Sequence, residues 1–204
     1  GKEALHYLET LKKTLEAGVP VNKTQVSKHE YIDDLHLLTA KPVIYVFNVN
    51  EETLGDETKK ASLQKLAGDS KALFICAKLE DELKGLNASD AMELLQSYDV
   101  PETGLTQMIK AAYDTLGLQS YLTAGPKEVR AWTIHKGWSA PQAAGVIHSD
   151  FERGFIAAQI VSYHDLVATG SETAARAEGK IRTEGKDYIM QPDDVVEFRF
   201  NVTK

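Results

Sequence analysis

PVIYVFNVNEE, residues 42–52, runs six apolar side chains straight into a cluster of amides and carboxylates. A run this rich in β-branched and aromatic residues reads as a strand buried on both faces, of the kind found at the centre of a parallel sheet. Such a strand needs neighbours, and Ala72-Leu73-Phe74-Ile75-Cys76-Ala77 supplies a second short apolar run. Residues 56–66 between them have a helical pattern followed by Gly68-Asp69, and polar, helical sequence continues from the second run to about Gly117. Strand, helix, strand, helix in that order predicts an α/β sheet. In open sheets of this class ligands sit beyond the carboxyl ends of the strands, where loops can change while the strands stay rigid. The polar residues that end the two runs, Asn48 to Glu52 and Cys76-Ala77-Lys78, are therefore the first candidates for a site. An amide and a carboxylate three residues apart can meet the hydrogen-bonding edge of a purine, while a backbone N–H in the neighbouring small-residue turn reads the base from another side.

On the N-terminal side, Ala4, Leu8, Leu11 and Leu15 recur at helical spacing through residues 2–17, and Gly18 with Pro20 supplies a stop. Val26, Ile32, Leu35 and Leu38 predict a second, less regular helix within residues 22–38. The character changes around residues 121–126. Beyond Gly125-Pro126, a strand is predicted over 129–134, one helix over 140–151 opened by Ser139 and Pro141, and strands over 155–161, 180–183 and 195–202. The last alternates Val196, Phe198, Phe200 and Val202 on one face. A small α+β domain, its mixed sheet packed on one helix, fits this pattern.

Composition narrows the function. The 204 residues carry a net charge of −7, with 43% hydrophobic and 26% charged residues. That acidity argues against a protein held to DNA or RNA by bulk electrostatics alone. The imbalance lies early: residues 127–204 hold 10 Lys/Arg against 11 Asp/Glu, and subtraction from totals of 23 and 30 leaves 13 against 19 before them. No stretch approaches the roughly 18–20 apolar residues that cross a bilayer. The start of the sequence has no secretory signal core and Cys76 has no partner for an internal disulfide, so a cytoplasmic setting is expected.

Asn48-x-x-Glu51 resembles the base-recognition motif of P-loop GTPases, Asn-Lys-x-Asp, in the Asn-x-x-Glu form of the YchF and Obg-like ATPase family, and Cys76-Ala77-Lys78 is similar to the Ser-Ala-Lys turn that follows it. TIHKGWSAPQAAGVIHSDFERGFIAAQIVSYHDL (133–166) and GKIRTEGKDYIMQPDDVVEFRFNV (179–202) closely resemble the TGS domain of YchF proteins. The resemblance implies three parts: residues 1–38 as the end of a helical coiled-coil insertion, 39–118 as the C-terminal half of an α/β P-loop nucleotide domain, and 119–204 as a β-grasp TGS domain. It implies base recognition by Asn48, Glu51, Cys76, Ala77 and Lys78, with ATP or GTP and Mg²⁺ bound in a longer parent and a ribosome or RNA partner. One departure is decisive. The P-loop Gly-x-x-x-x-Gly-Lys-[Ser/Thr] does not occur in the sequence, so nothing here can cradle β and γ phosphates, and the chain by itself is not expected to bind or hydrolyse nucleotide. A stand-alone TGS module that binds RNA or protein is the alternative.

The remaining residues are read more plainly. Cys76 ends an apolar strand without a nearby basic cluster and reads as a buried small residue rather than a nucleophile. Histidines 6, 29, 36, 135, 148 and 164 show no ligand spacing. Arg130, Lys136, Trp138, Arg182 and Lys186, with Trp138 or Tyr188 exposed, could form a phosphate-contacting face. The stripe on the first helix, with its matching helix absent, predicts self-association.

Overall fold

The computed structural model describes residues 2–24, 34–125 and 128–201 and divides into two compact units, Gly1–Leu116 and Gly117–Lys204. The first unit opens with α1 (Lys2–Glu16). Leu11 of its apolar stripe is buried with Val21, and Leu37 and Ala40 pack on them. Leu8 and Leu15 of the same stripe stay substantially exposed, as does Leu5 beside it. The predicted second helix does not form where the chain is described. One turn of 3-10 helix covers Val21–Lys23 and another Leu38–Ala40. Between them His36 has a left-handed backbone, φ 48°, through which no right-handed helix continues. Val26 and Ile32 lie outside the described residues.

Two strands, β1 (Ile44–Asn48) and β2 (Lys71–Ile75), pair in parallel, with Ile44 opposite Lys71 and Asn48 opposite Ile75. Phe47 stacks on Phe74 across the pair. The expectation that β1 is buried on both faces is corrected: Tyr45 and Val46 are 40% and 46% exposed. Among the described residues the sheet has these two strands, so β1 has a neighbour on one edge rather than two. The connection holds α2 (Glu51–Leu54) and α3 (Glu57–Ala67). After β2 come α4 (Ala77–Leu83), α5 (Ala88–Ser97) and α6 (Gly104–Thr115). Leu54, Cys76, Leu79, Leu83 and Leu95 form the unit's main buried cluster.

The start of α6 is fixed by a close approach. The Gly104 N–H donates to Glu80 Oε1 at 2.6 Å, and a Cβ at that position would stand 2.7 Å from Ile75 Cγ2 and 3.1 Å from Glu80 Oε1. Any larger residue must displace the Ile75 side chain and crowd the Glu80 carboxylate.

The second unit is a five-stranded mixed sheet in the order β4-β3-β7-β5-β6, built from β3 (Leu118–Ala124), β4 (Val129–His135), β5 (Phe155–Ser162), β6 (Arg182–Glu184) and β7 (Asp194–Phe200). The β3–β4 hairpin is antiparallel, and β3 meets β7 in parallel at Leu122 and Val195. The sequence reading missed β3, where polar Gln119 and Ser120 break the apolar alternation that would mark a strand. On one face lies α7 (Ala140–Ile147). Its Ala140, Ala143 and Ala144 are fully buried against Tyr121, Ile134, Ile160, Met190, Val196 and Phe198. Small side chains let the helix lie close enough for the Tyr121 hydroxyl to donate to the Ala143 carbonyl at 2.9 Å, and burial pushes that phenol's pKa up. On the other face two further elements missed from sequence, α9 (Tyr163–Thr169) and α10 (Glu172–Ala177), cover Val161 and Val195 through Leu166 and Ala175.

The single helix expected over 140–151 is two. His148 is extended (φ −161°, ψ 139°), and its Nδ1 accepts the Asp150 N–H at 3.1 Å to start α8 (Ser149–Arg153). At the other end of α7 the Ser139 N–H donates to Gln142 Oε1 at 2.9 Å, which satisfies an amide the helix leaves open.

Two stability measurements probe these contacts. Gly104→Ala should destabilise the first unit by about 1–3 kcal/mol, although alanine is the better helix former by about 1 kcal/mol, and should lower the urea midpoint. His148→Ala should cost about 0.5–2 kcal/mol, while His148→Asn, which keeps an acceptor for the same amide, should cost a few tenths; thermal denaturation of the two variants side by side separates a cap from a packing role.

Candidate functional site

The in-register pairing of β1 and β2 delivers both polar turns to the same edge of the sheet. The ladder extends one step past the strands, with the Val49 N–H donating to the Ile75 carbonyl at 2.9 Å. Beyond it the chains begin helices. Asn50 is the N-cap of α2, its Oδ1 accepting from the Thr53 N–H at 3.1 Å and the Thr53 hydroxyl at 2.6 Å. Cys76 is the N-cap position of α4, with its side chain in the buried cluster. The thiol therefore faces the core, and Cys76 offers this edge only its backbone. Glu51 becomes the first residue of α2, and Ala77 and Lys78 the first two of α4.

Two contacts then join the turns. Asn48 Oδ1 accepts the Ala77 N–H at 3.2 Å, and the Lys78 ammonium donates to Glu51 Oε1 at 2.7 Å. Glu82, one turn along α4, lies farther from the same ammonium, at 3.9 Å. Lys78's hydrogen bond holds the Glu51 carboxyl below its ordinary pKa, and Glu51 raises that of Lys78 in return. The two shifts agree in sign with a formed ion pair. Lys78 is 71% exposed and Glu51 26%, so solvent reaches the pair and screens it. Four groups predicted from sequence thus converge at one strand edge: the Asn48 amide, the Ala77 N–H, the Glu51 carboxylate and the Lys78 side chain.

An open groove of about 610 Å³ borders this edge, walled by Asn48, Val49, Asn50, Thr53, Thr58, Lys59, Ser62 and Leu63. Glu51 and Lys78 stand outside that wall. Glu52 turns to Lys59, at 3.6 Å. The sequence reading missed Glu80. Its carboxylate ties α4, whose first N–H meets Asn48, to the start of α6, and a glycine opening a helix is the only local sign of that contact. Among the described residues no group of three His, Cys, Asp or Glu could hold a metal ion, and no helix is long and apolar enough to cross a membrane.

The second set of predicted residues is only partly gathered. Residues 138–140 pair with 188–190: the Ala140 N–H donates to the Tyr188 carbonyl at 2.8 Å and the Met190 N–H to the Trp138 carbonyl at 3.0 Å. Gln119 Nε2 donates to the Met190 carbonyl at 2.7 Å from beneath. This pairing brings the turn carrying Lys136 and Trp138 beside the loop carrying Lys186. Arg182 joins through Tyr188, its guanidinium 5.7 Å from the ring centroid. The Tyr188 hydroxyl donates to the buried Asp194 carboxylate at 3.0 Å, and Arg182 also approaches Glu184 and Asp194. Burial pushes the Asp194 carboxyl up, against the pull of the Gln191 N–H and Tyr188 donors.

Two expectations for this surface are corrected. Trp138 and Tyr188 are half-buried against the core rather than free for stacking. Arg130 is elsewhere: it lies opposite Thr123, at the far end of the β3–β4 hairpin from His135, and stacks on Trp132 at 4.1 Å.

The chain has relatives along almost its whole length. A family model described as YchF-GTPase_C, protein of unknown function (DUF933), matches residues 118–201. The ribosome-binding ATPase YchF of Bacillus subtilis is 44% identical over 202 residues, which cover 96% of this chain and 55% of that protein. Obg-like ATPase 1 of Rattus norvegicus is 41% identical over 171 residues, covering 81% of this chain and 43% of the rat protein. The solved structure of the Schizosaccharomyces pombe YchF GTPase superposes with a TM-score of 0.77 at 34% identity, over 97% of this chain and 55% of that one. The chain spans about half the length of the relatives it matches. Coverage of nearly the whole chain in both sequence and structure places it in the YchF/Obg-like ATPase family, where it corresponds to the C-terminal portion of its relatives.

Proposed function

We propose that this chain carries the base-reading edge of a YchF-type nucleotide-binding ATPase, and that Asn48, Glu51, Ala77 and Lys78 form the slot for the purine. The observation that carries the reading is the contact of Asn48 Oδ1 with the Ala77 N–H. The Asn48 amide, oriented by that N–H, stands with a carboxylate and an ammonium at the carboxyl end of parallel strands, a donor–acceptor set suited to the edge of a base. Phosphates and Mg²⁺ would be held by residues outside this sequence, which has no P-loop. In the complete protein Asn48 positions the purine, and Glu51, one methylene longer than the aspartate of the guanine-specific motif, relaxes the choice toward ATP.

For the second unit we propose a TGS domain that contacts the ribosome. Several relatives bear the name ribosome-binding ATPase; Lys136 and Lys186 flank the paired segments 138–140 and 188–190, and Arg182 joins them through Tyr188. Arg182 is shared between Glu184 and Asp194, and in this reading Lys136 and Lys186 supply phosphate contacts beside it.

Two measurements test these readings. In the full-length protein Asn48→Ala should weaken ATP and GTP together, by about 2- to 13-fold, the span for loss of one hydrogen bond of about 0.5–1.5 kcal/mol; unchanged dissociation constants for both nucleotides would remove the slot. Lys136→Ala with Lys186→Ala should reduce co-sedimentation with ribosomes, and the slope of affinity against salt should flatten by about one ion for each phosphate that is no longer neutralised. A wild-type interaction insensitive to salt would instead indicate a protein contact.

A further inference from the structure

We propose that the Lys78 ammonium, and not only the length of Glu51, sets the base preference of the slot. The inference rests on the reading that the slot holds a purine. A free carboxylate at this edge would favour guanine, whose N1–H and N2–H are adjacent donors, and would be repelled by the lone pair on adenine N1. Glu51 is not a free carboxylate. Lys78 donates to Oε1 at 2.7 Å, which occupies one oxygen and compensates the charge that guanine would otherwise meet.

What the pair presents to an incoming base is one acceptor beside one donor. Both purines can answer it. Adenine offers the N6–H donor next to the N1 acceptor; guanine offers the N1–H donor next to the O6 acceptor. The pair therefore recognises a purine edge without choosing strongly between the two, and the second donor of guanine, on N2, gains little from an oxygen already engaged. The position of Lys78 supports the assignment. It follows Ala77, whose N–H meets Asn48, so its backbone is held one residue from the slot. Its side chain is largely exposed, and its other acidic neighbour, Glu82, is more distant at 3.9 Å. Glu51 is thus the group that fixes where the ammonium sits.

The test uses the full-length protein and four forms of it: wild type, Lys78→Met, Lys78→Arg and Asn48→Ala, each titrated with ATP and with GTP. Methionine keeps an unbranched stem but removes the charge. It should free the Glu51 carboxylate and shift the ratio of the two dissociation constants toward GTP by about fivefold, the scale of one exposed ion pair. Arginine restores a cationic donor and should return the ratio toward wild type. The outcome that overturns the proposal is a Lys78→Met protein whose ATP and GTP affinities move by the same factor while Asn48→Ala still weakens both; Lys78 would then act through its stem alone, with the slot intact. If Asn48→Ala leaves both affinities unchanged, the slot itself fails, and that failure is distinct from the first. Lys78 is exposed, so the thermal midpoints of its variants should match wild type and exclude unfolding as the cause of a shift.

Discussion

The register of one parallel strand pair governs the first unit. Asn48 lies opposite Ile75, so both chains leave the sheet at the same level, and a side chain as short as asparagine can span to the Ala77 N–H. Because side chains alternate between faces, a one-residue slip would turn Asn48 to the other face and separate the two turns. The helices that follow extend the constraint. Asn50 caps one and Cys76 stands at the cap of the other, so Glu51 and Lys78 each enter a first turn with a fixed direction, and their charged ends meet. The thiol of Cys76 and the leucines of α4 anchor that turn in the core, while Glu80 ties it to α6. The polar edge is thus exposed, but its backbone is not free to drift.

The second unit reaches the same end through buried polar groups. Gln119, Tyr121 and Asp194 all lie beneath the surface, and each has a partner: the Met190 carbonyl, the Ala143 carbonyl, and the Tyr188 hydroxyl with the Gln191 N–H. A buried polar group left unpaired is costly, so these contacts specify one arrangement more sharply than apolar packing alone. Gln119 and Asp194 pin the loop over residues 188–191, and Tyr121 holds α7, which follows the turn that carries Trp138. Two segments about 50 residues apart in sequence become one support for exposed cations.

Much of this was legible from residue patterns. The apolar runs announced β1 and β2, and the polar residues ending them announced the edge, because a strand that stops in amides and carboxylates has to present them to solvent or to a ligand. Ser139 marked a helix start through the chemistry of its side chain. The misses have local causes. β3 interleaves Gln119 and Ser120 among its apolar residues, and nothing in that segment reveals that Gln119 is buried with a partner 71 residues away. The stretch over 140–151 reads as one helix because the amphipathic pattern runs through His148, and only its extended backbone separates two. Arg130 lies near the start of the strand predicted over 129–134 and Lys136 just past its end, and the structure keeps them at opposite ends of β4.

Sequence by itself determined which residue types stand at the sheet edge, that no P-loop accompanies them, and that a parallel α/β unit precedes a small mixed-sheet unit. Those properties are local, carried by periodicity, composition and motif spacing. Tertiary structure decided that the Glu51 carboxylate is already paired with Lys78, that the Cys76 thiol turns inward, and that the aromatic rings beside the cations are packed rather than free. Each of these depends on where a second segment lies, and strand register and core packing place it through contacts between residues far apart in the chain.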